Sequence, residues 1–123
     1  MIPQQVLTRW KDLIKSEKLF PDHSEYEFAR GLEGEFYITV VWLLFKGNHP
    51  HKKSKVIHIT IQPGAFRNYL DCTEDKRKSA DEKLIGIVKE KYQRFDPNHD
   101  KPPWSTAPIE EWKIRHSDLF QEK

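Results

Sequence analysis

Cysteine is almost missing from this chain: Cys72 stands alone among 123 residues. A single thiol excludes an intrachain disulfide, a cysteine-cluster metal site and a CxxC redox pair. No apolar run approaches the roughly 20 residues that a membrane helix requires. The opening Met-Ile-Pro-Gln-Gln has neither the basic start nor the apolar core of a secretory signal, so a cytoplasmic location without membrane insertion is expected. Sequence patterns with built-in chemistry are missing too: there is no P-loop, GxGxxG, GxSxG or HExxH. Neither a cofactor nor a defined catalytic constellation is therefore expected, and the enzyme question leans towards no.

What the chain does contain is enough to fold. Seven Phe, four Trp and four Tyr accompany dense Val/Ile/Leu clusters, which separates it from disordered chains of similar polarity. Its length fits one domain, residues 1–123, with one core. The net charge of +2 is unevenly spread: residues 46–70 hold Lys46, Lys52, Lys53, Lys55 and Arg67 and no acid. Local asymmetry of this kind bears on partners more than on fold.

Periodicity gives the elements. Pro3 suits a first helical turn, and Val6, Leu7, Trp10, Leu13 and Ile14 follow at helical spacing, predicting a helix over 3–18 that Pro21 ends. From Glu25 the period becomes two, giving a strand over about 25–31 and, after Gly31-Leu-Glu-Gly34, a second over 35–45. There Phe36, Ile38, Val40, Trp42 and Leu44 alternate with Tyr37, Val41, Leu43 and Phe45, so cover is expected on both faces. Ile57, Ile59 and Ile61 mark a third strand over 55–62, with Val56, His58, Thr60 and Gln62 on its other face. Short connections make these an antiparallel meander.

Phe66, Tyr69 and Leu70 share a face of a short helix. Ser79-Ala-Asp-Glu82 reads as a capping box that opens a helix over about 80–95, carrying Ala80, Leu84, Ile87, Val88, Tyr92 and Phe95 on one side; a start as early as Thr73 is left open. Ile109, Trp112, His116 and Leu119 fit a short C-terminal helix, although Trp112 and Ile114 also fit alternation. The expected class is α+β: a three-stranded antiparallel meander packed with these helices.

The order helix, three strands, helix resembles the double-stranded-RNA-binding domain, in which a basic cluster opening the second helix touches phosphates; Lys76-Arg77-Lys78-Ser79-Ala80 is similar to that cluster. The strands here are longer, Pro63 to Asp75 is an addition, and Glu74, Asp75, Asp81 and Glu82 flank the basic run. Independently, Lys46, Lys52, Lys53 and Lys55 in the loop after the second strand could contact a nucleic-acid backbone, but without Arg or an adjacent aromatic there is no sign of base readout.

Other candidates are weaker. His49 and His51 form half a metal site, which His58, His99 or His116 would have to complete. His58, on the non-isoleucine side of its strand, could serve as a general acid or base in a small hydrolase or nuclease. Asp96-Pro-Asn-His-Asp100 begins like a calcium loop, then fails at Lys101 and Ala107. Trp104 and Trp112 could form an aromatic patch for a protein, or clamp the tail to the core. The leading expectation is a small non-enzymatic binding or adaptor domain that acts through a protein partner or through self-association. Nucleic-acid binding through the 46–55 loop is the first alternative and hydrolysis at His58 the second.

Overall fold

Alternation of large apolar residues with smaller polar ones decides which side of the sheet meets the helices. In the computed structural model, residues 1–44, 53–99, 101 and 107–120 are described. Strands β1 (Glu25–Arg30), β2 (Phe36–Val41) and β3 (Val56–Ile61) form the antiparallel meander, and β4 (Ile109–Ile114) joins β3 in parallel, giving the order β1-β2-β3-β4. Helices α1 (Pro3–Ser16), α2 (Pro63–Asp71), α3 (Glu74–Gln93) and α4 (His116–Phe120) complete an α+β fold.

One sheet face forms the core. Phe36, Ile38 and Val40 of β2 stand beside Ile57, Ile59 and Ile61 of β3 and Trp112 and Ile114 of β4, and all are buried. Against them α1 sets Val6, Trp10 and Ile14. Trp10 is wholly buried, edge-on to Phe36 with centroids 5.3 Å apart and 4.8 Å from Tyr69. Phe66 of α2 stacks on Phe36 at 5.0 Å. Leu84 and Val88 of α3 close over Ile38 and Ile59, and α4 sits against α2 and α3 with Leu119 buried. All four helices thus lie on the same side of the sheet.

Local chemistry sets most boundaries. Pro3 and Pro63 occupy first-turn positions, where the missing N–H removes no bond. Lys18, at φ 51°, turns the chain out of α1, a left-handed conformation that favours glycine. Gly34, at φ 92°, lets the β1–β2 hairpin close, with the Gly31 N–H donating to the Glu35 carbonyl at 2.9 Å. Buried Ser54 finishes the β2–β3 ladder: its N–H donates to the Trp42 carbonyl at 2.7 Å, and its hydroxyl accepts from the Trp42 N–H at 3.1 Å.

Three expectations need correction. Residues 109–114 are a strand and only 116–120 a helix, because the outer edge of β3 offers unpaired backbone groups that Trp112 and Ile114 can reach with their side chains on the core side. The crossover through α2 and α3 is what a parallel neighbour requires. The long helix starts at Glu74 and not near Ser79: Thr73 is its N-cap, the hydroxyl accepting from the Lys76 N–H at 3.4 Å, with Glu74 and Asp75 favourably placed in the first turn. Finally, β2 ends at Val41 and is buried on one side only. Tyr37, Thr39 and Val41 are half-buried by their strand neighbours, and no described helix covers them.

Candidate functional site: the open sheet face

The side of the sheet away from the helices is where function has room. The ladder registers place Glu25, Glu27 and Ala29 of β1 beside Val41, Thr39 and Tyr37 of β2, then Val56, His58 and Thr60 of β3, then Ile109, Glu111 and Lys113 of β4. Alternation makes this face inevitable: each of these residues neighbours one whose side chain enters the core.

His58 lies near its middle. Its Nδ1 is 3.3 Å from the Thr39 hydroxyl, and its ring lies against Tyr37 with centroids 4.7 Å apart. Glu111 stands opposite His58 in the β3–β4 ladder, and Glu111 Oε1 accepts from the Thr60 hydroxyl at 3.5 Å. Desolvation, the Glu35 hydrogen bond and the charges of Glu35, Glu111 and Glu33 push the Tyr37 phenol above its ordinary range, so it stays protonated. The result is a shallow hydroxyl- and ring-bearing surface with Val41, Val56 and Ile109 at its flanks. Ile109 is 64% exposed. A hollow of about 260 Å³ on it is bounded by Glu25, Tyr26, Glu27, Thr39 and Val41.

Acidic residues frame it. Glu25, Glu27 and Glu111 stand on this side with Lys113, and Lys53 reaches Glu25 from the edge. Of the loop lysines proposed for nucleic-acid contact, the Lys53 ammonium pairs with Glu25 at 3.5 Å, while Lys55 is held through its backbone N–H, which donates to the Pro97 carbonyl at 3.0 Å; Lys46 and Lys52 lie outside the described residues. The second basic cluster lies in the first two turns of α3, directly after the acidic Glu74 and Asp75. There Arg77 is occupied structurally, donating to the Tyr69 carbonyl at 2.9 Å and the Leu70 carbonyl at 2.7 Å. With β4 added beside β3, the similarity to the RNA-binding topology does not extend to the sheet.

Of the described histidines, His58, His99 and His116 do not converge. His99 Nε2 is 2.8 Å from the Lys53 carbonyl oxygen, His116 Nε2 is 3.0 Å from Asn68 Nδ2 in the helical layer, and His58 is on the open face. No group of three or more potential metal ligands occurs among the described residues; His49 and His51 lie outside them. Asp96 serves its own turn, Oδ1 accepting from the Asn98 N–H at 3.0 Å. Trp112 is a core residue, packed between Phe20 and Phe95 and donating from Nε1 to Glu110 Oε2 at 2.7 Å, so it offers no surface to a partner. Trp104 lies outside the described residues.

One polar constellation is invisible in the sequence. Asp81, buried on α3, accepts through Oδ1 from Tyr69 Oη at 2.7 Å and Trp10 Nε1 at 3.1 Å, and through Oδ2 from Arg9 Nε at 2.9 Å and Nη2 at 2.8 Å. Arg9 also pairs with Glu74 and lies over the Tyr69 ring. Burial, then the Asp81 hydrogen bond and charge, raise the Tyr69 phenol well above its ordinary value. The cluster runs from buried Trp10, Tyr69 and Asp81 out to the Arg9–Glu74 pair at the surface, and it joins α1, α2 and α3.

Comparison with known proteins adds no relative: no protein-family model, no curated protein and no solved structure matches the chain. No helix among the described residues is long and apolar enough to cross a membrane.

Proposed function

We propose that this chain is a small binding domain that recruits a protein partner on its open sheet face and carries out no chemistry of its own. The observation that carries the reading is the one-sided layering. All four helices pack on the Phe36–Ile38–Val40 side, while Tyr37, Thr39, Val41, Val56, His58 and Thr60 form a half-buried band with no described helix over it. A mixed band of rings, hydroxyls and aliphatic groups within a charged rim has the anatomy of a protein contact. Glu25, Glu27 and Glu111, offset in part by Lys53 and Lys113, favour a partner with a basic rim.

The catalytic alternative has less support. His58 meets a hydroxyl and a phenol that stays protonated, and the face holds no cysteine or serine to act as nucleophile. A nucleic-acid partner is disfavoured by the same glutamates.

The test is retention of proteins by the immobilised chain, comparing wild type with Thr39→Glu and Thr60→Glu on the open face and Lys89→Glu on the helical side. A protein held by wild type and Lys89→Glu but lost by both face variants supports the reading. Equal retention by all four, or by none, contradicts it, and recovery of nucleic acid in its place would favour the alternative.

A further inference from the structure

Beyond its open face, the sheet has an edge strand, β4, with a neighbour on one side only among the described residues. The β4 ladder is in a definite phase: the Val56 N–H donates to the Pro108 carbonyl and the Gln62 N–H to the Ile114 carbonyl, both at 2.9 Å. Even-numbered residues of β4 therefore spend their backbone groups on β3, and the N–H and C=O groups of Ile109, Glu111 and Lys113 point away from the sheet. No described residue meets them. An edge of this kind is a template for another strand unless it is guarded.

The two edges of the sheet are treated differently. Two antiparallel copies of β1 centred on Tyr26 set Glu25 opposite Glu27 of the other copy, and copies centred on Glu27 set Glu27 opposite itself, which is a guard against pairing. On β4 the charges have opposite signs two residues apart, Glu111 and Lys113, with exposed Ile109 beside them.

We propose that a second copy of this chain is the partner of that edge, β4 pairing antiparallel with β4 about a two-fold axis through Trp112. Of the registers that pair at least two outward-facing residues within β4, only this one satisfies both backbone and charge. A two-fold axis falling between residues would set an outward-facing residue against an inward-facing one. Centring on Glu110, Glu111 or Lys113 sets each of these opposite itself, and centring on Ile114 sets Lys113 opposite Arg115. Centring on Trp112 sets Glu111 opposite Lys113 of the second copy, and Lys113 opposite its Glu111, with four backbone hydrogen bonds between these residues. The axis is perpendicular to the sheet, so the product is one eight-stranded sheet with both open faces on the same side. This goes beyond the open-face reading, since a monomer could equally bind a partner there.

Light scattering and sedimentation of the full chain test it with charge exchange at two exposed positions, folding of each variant being checked by circular dichroism. Wild type is expected to be a dimer. Lys113→Glu (acid opposite acid) and Glu111→Lys (base opposite base) should each weaken dimerisation at least tenfold. Mixed one to one, these two variants should form a heterodimer, and the double exchange Glu111→Lys/Lys113→Glu should restore the homodimer to within about threefold of wild type. A wild-type monomer at 200 µM, a dimer indifferent to the single exchanges, or a double exchange that stays monomeric would each overturn the proposal. Partner retention by wild type diluted until it is monomeric judges the open-face reading, while the exchange series judges the edge pairing separately.

Discussion

Asp81 offers the sharpest test of the packing that holds the sheet face in place. Its two oxygens receive four donors: the Tyr69 hydroxyl, the Trp10 indole N–H and two nitrogens of Arg9. Asp81→Ala would strand an indole N–H and a phenol O–H in the core and leave Arg9 with Glu74 alone. Each orphaned buried donor costs about 1–3 kcal/mol, and breaking a buried ion pair by removing one partner costs about 3–5 kcal/mol. The terms overlap, so a loss of about 3–5 kcal/mol is expected, which lowers the melting temperature on the order of 10–20 °C. Asp81→Asn keeps one oxygen for Tyr69 and Trp10 but turns an amide towards Arg9, and should lose roughly 1–3 kcal/mol. Tyr69→Phe removes a single 2.7 Å bond and should lose about 1–2 kcal/mol. Denaturant unfolding followed by tryptophan fluorescence reads all three, since Trp10 sits in the network. An Asp81→Ala protein within 1 kcal/mol of wild type would refute the idea that this cluster joins the helices.

Further expectations follow from other sites. Lys18→Gly relieves a left-handed residue at the end of α1 and should raise stability by about 0.5–1 kcal/mol after the unfolded-state penalty for glycine, measured by the same unfolding curves. Phe66→Ala removes the ring stacked on Phe36 and should cost about 3–5 kcal/mol; a loss under 1 kcal/mol would show that α2 is not anchored there. Because the folded-state value of Tyr69 lies above its unfolded value, its contribution is fully present below the ordinary tyrosine range and fades as pH rises from about 10; Tyr69→Phe should flatten that alkaline decline in a stability–pH series. His58→Ala should change stability by less than about 1 kcal/mol, because His58 is half-exposed, while still weakening partner retention.

Much of this molecule was legible in residue order because local and tertiary preferences agree. Pro3 with Val6, Trp10 and Ile14, the Gly31–Gly34 turn, and Ile57-x-Ile59-x-Ile61 each leave one sensible element. Residues 109–119 did not, since Ile109, Trp112, His116 and Leu119 satisfy a helical period while Trp112 and Ile114 satisfy a strand. The deciding fact is the free edge of β3, about 50 residues earlier in the chain. Ser79-x-x-Glu82 has the residues of a capping box but lies within a helix already capped at Thr73. Asp81 looked like a flanking acid, because nothing local reveals that Arg9 and Trp10 come to it from 72 and 71 residues away. The open face was partly visible: alternation identified Tyr37, Val41, His58 and Thr60 as a second surface, yet alternation alone does not say whether a surface is covered.

Histidine footprinting would test the open face most directly. Diethylpyrocarbonate modification of His58, quantified by mass spectrometry, compares the purified chain with the chain bound to its retained partner, at a dilution where β4 self-pairing is absent. The expected result is that the partner shields His58 at least fivefold while leaving His116, in the helical layer, equally reactive in both samples. Equal modification of His58 with and without the partner would contradict the assignment of this face as the binding surface.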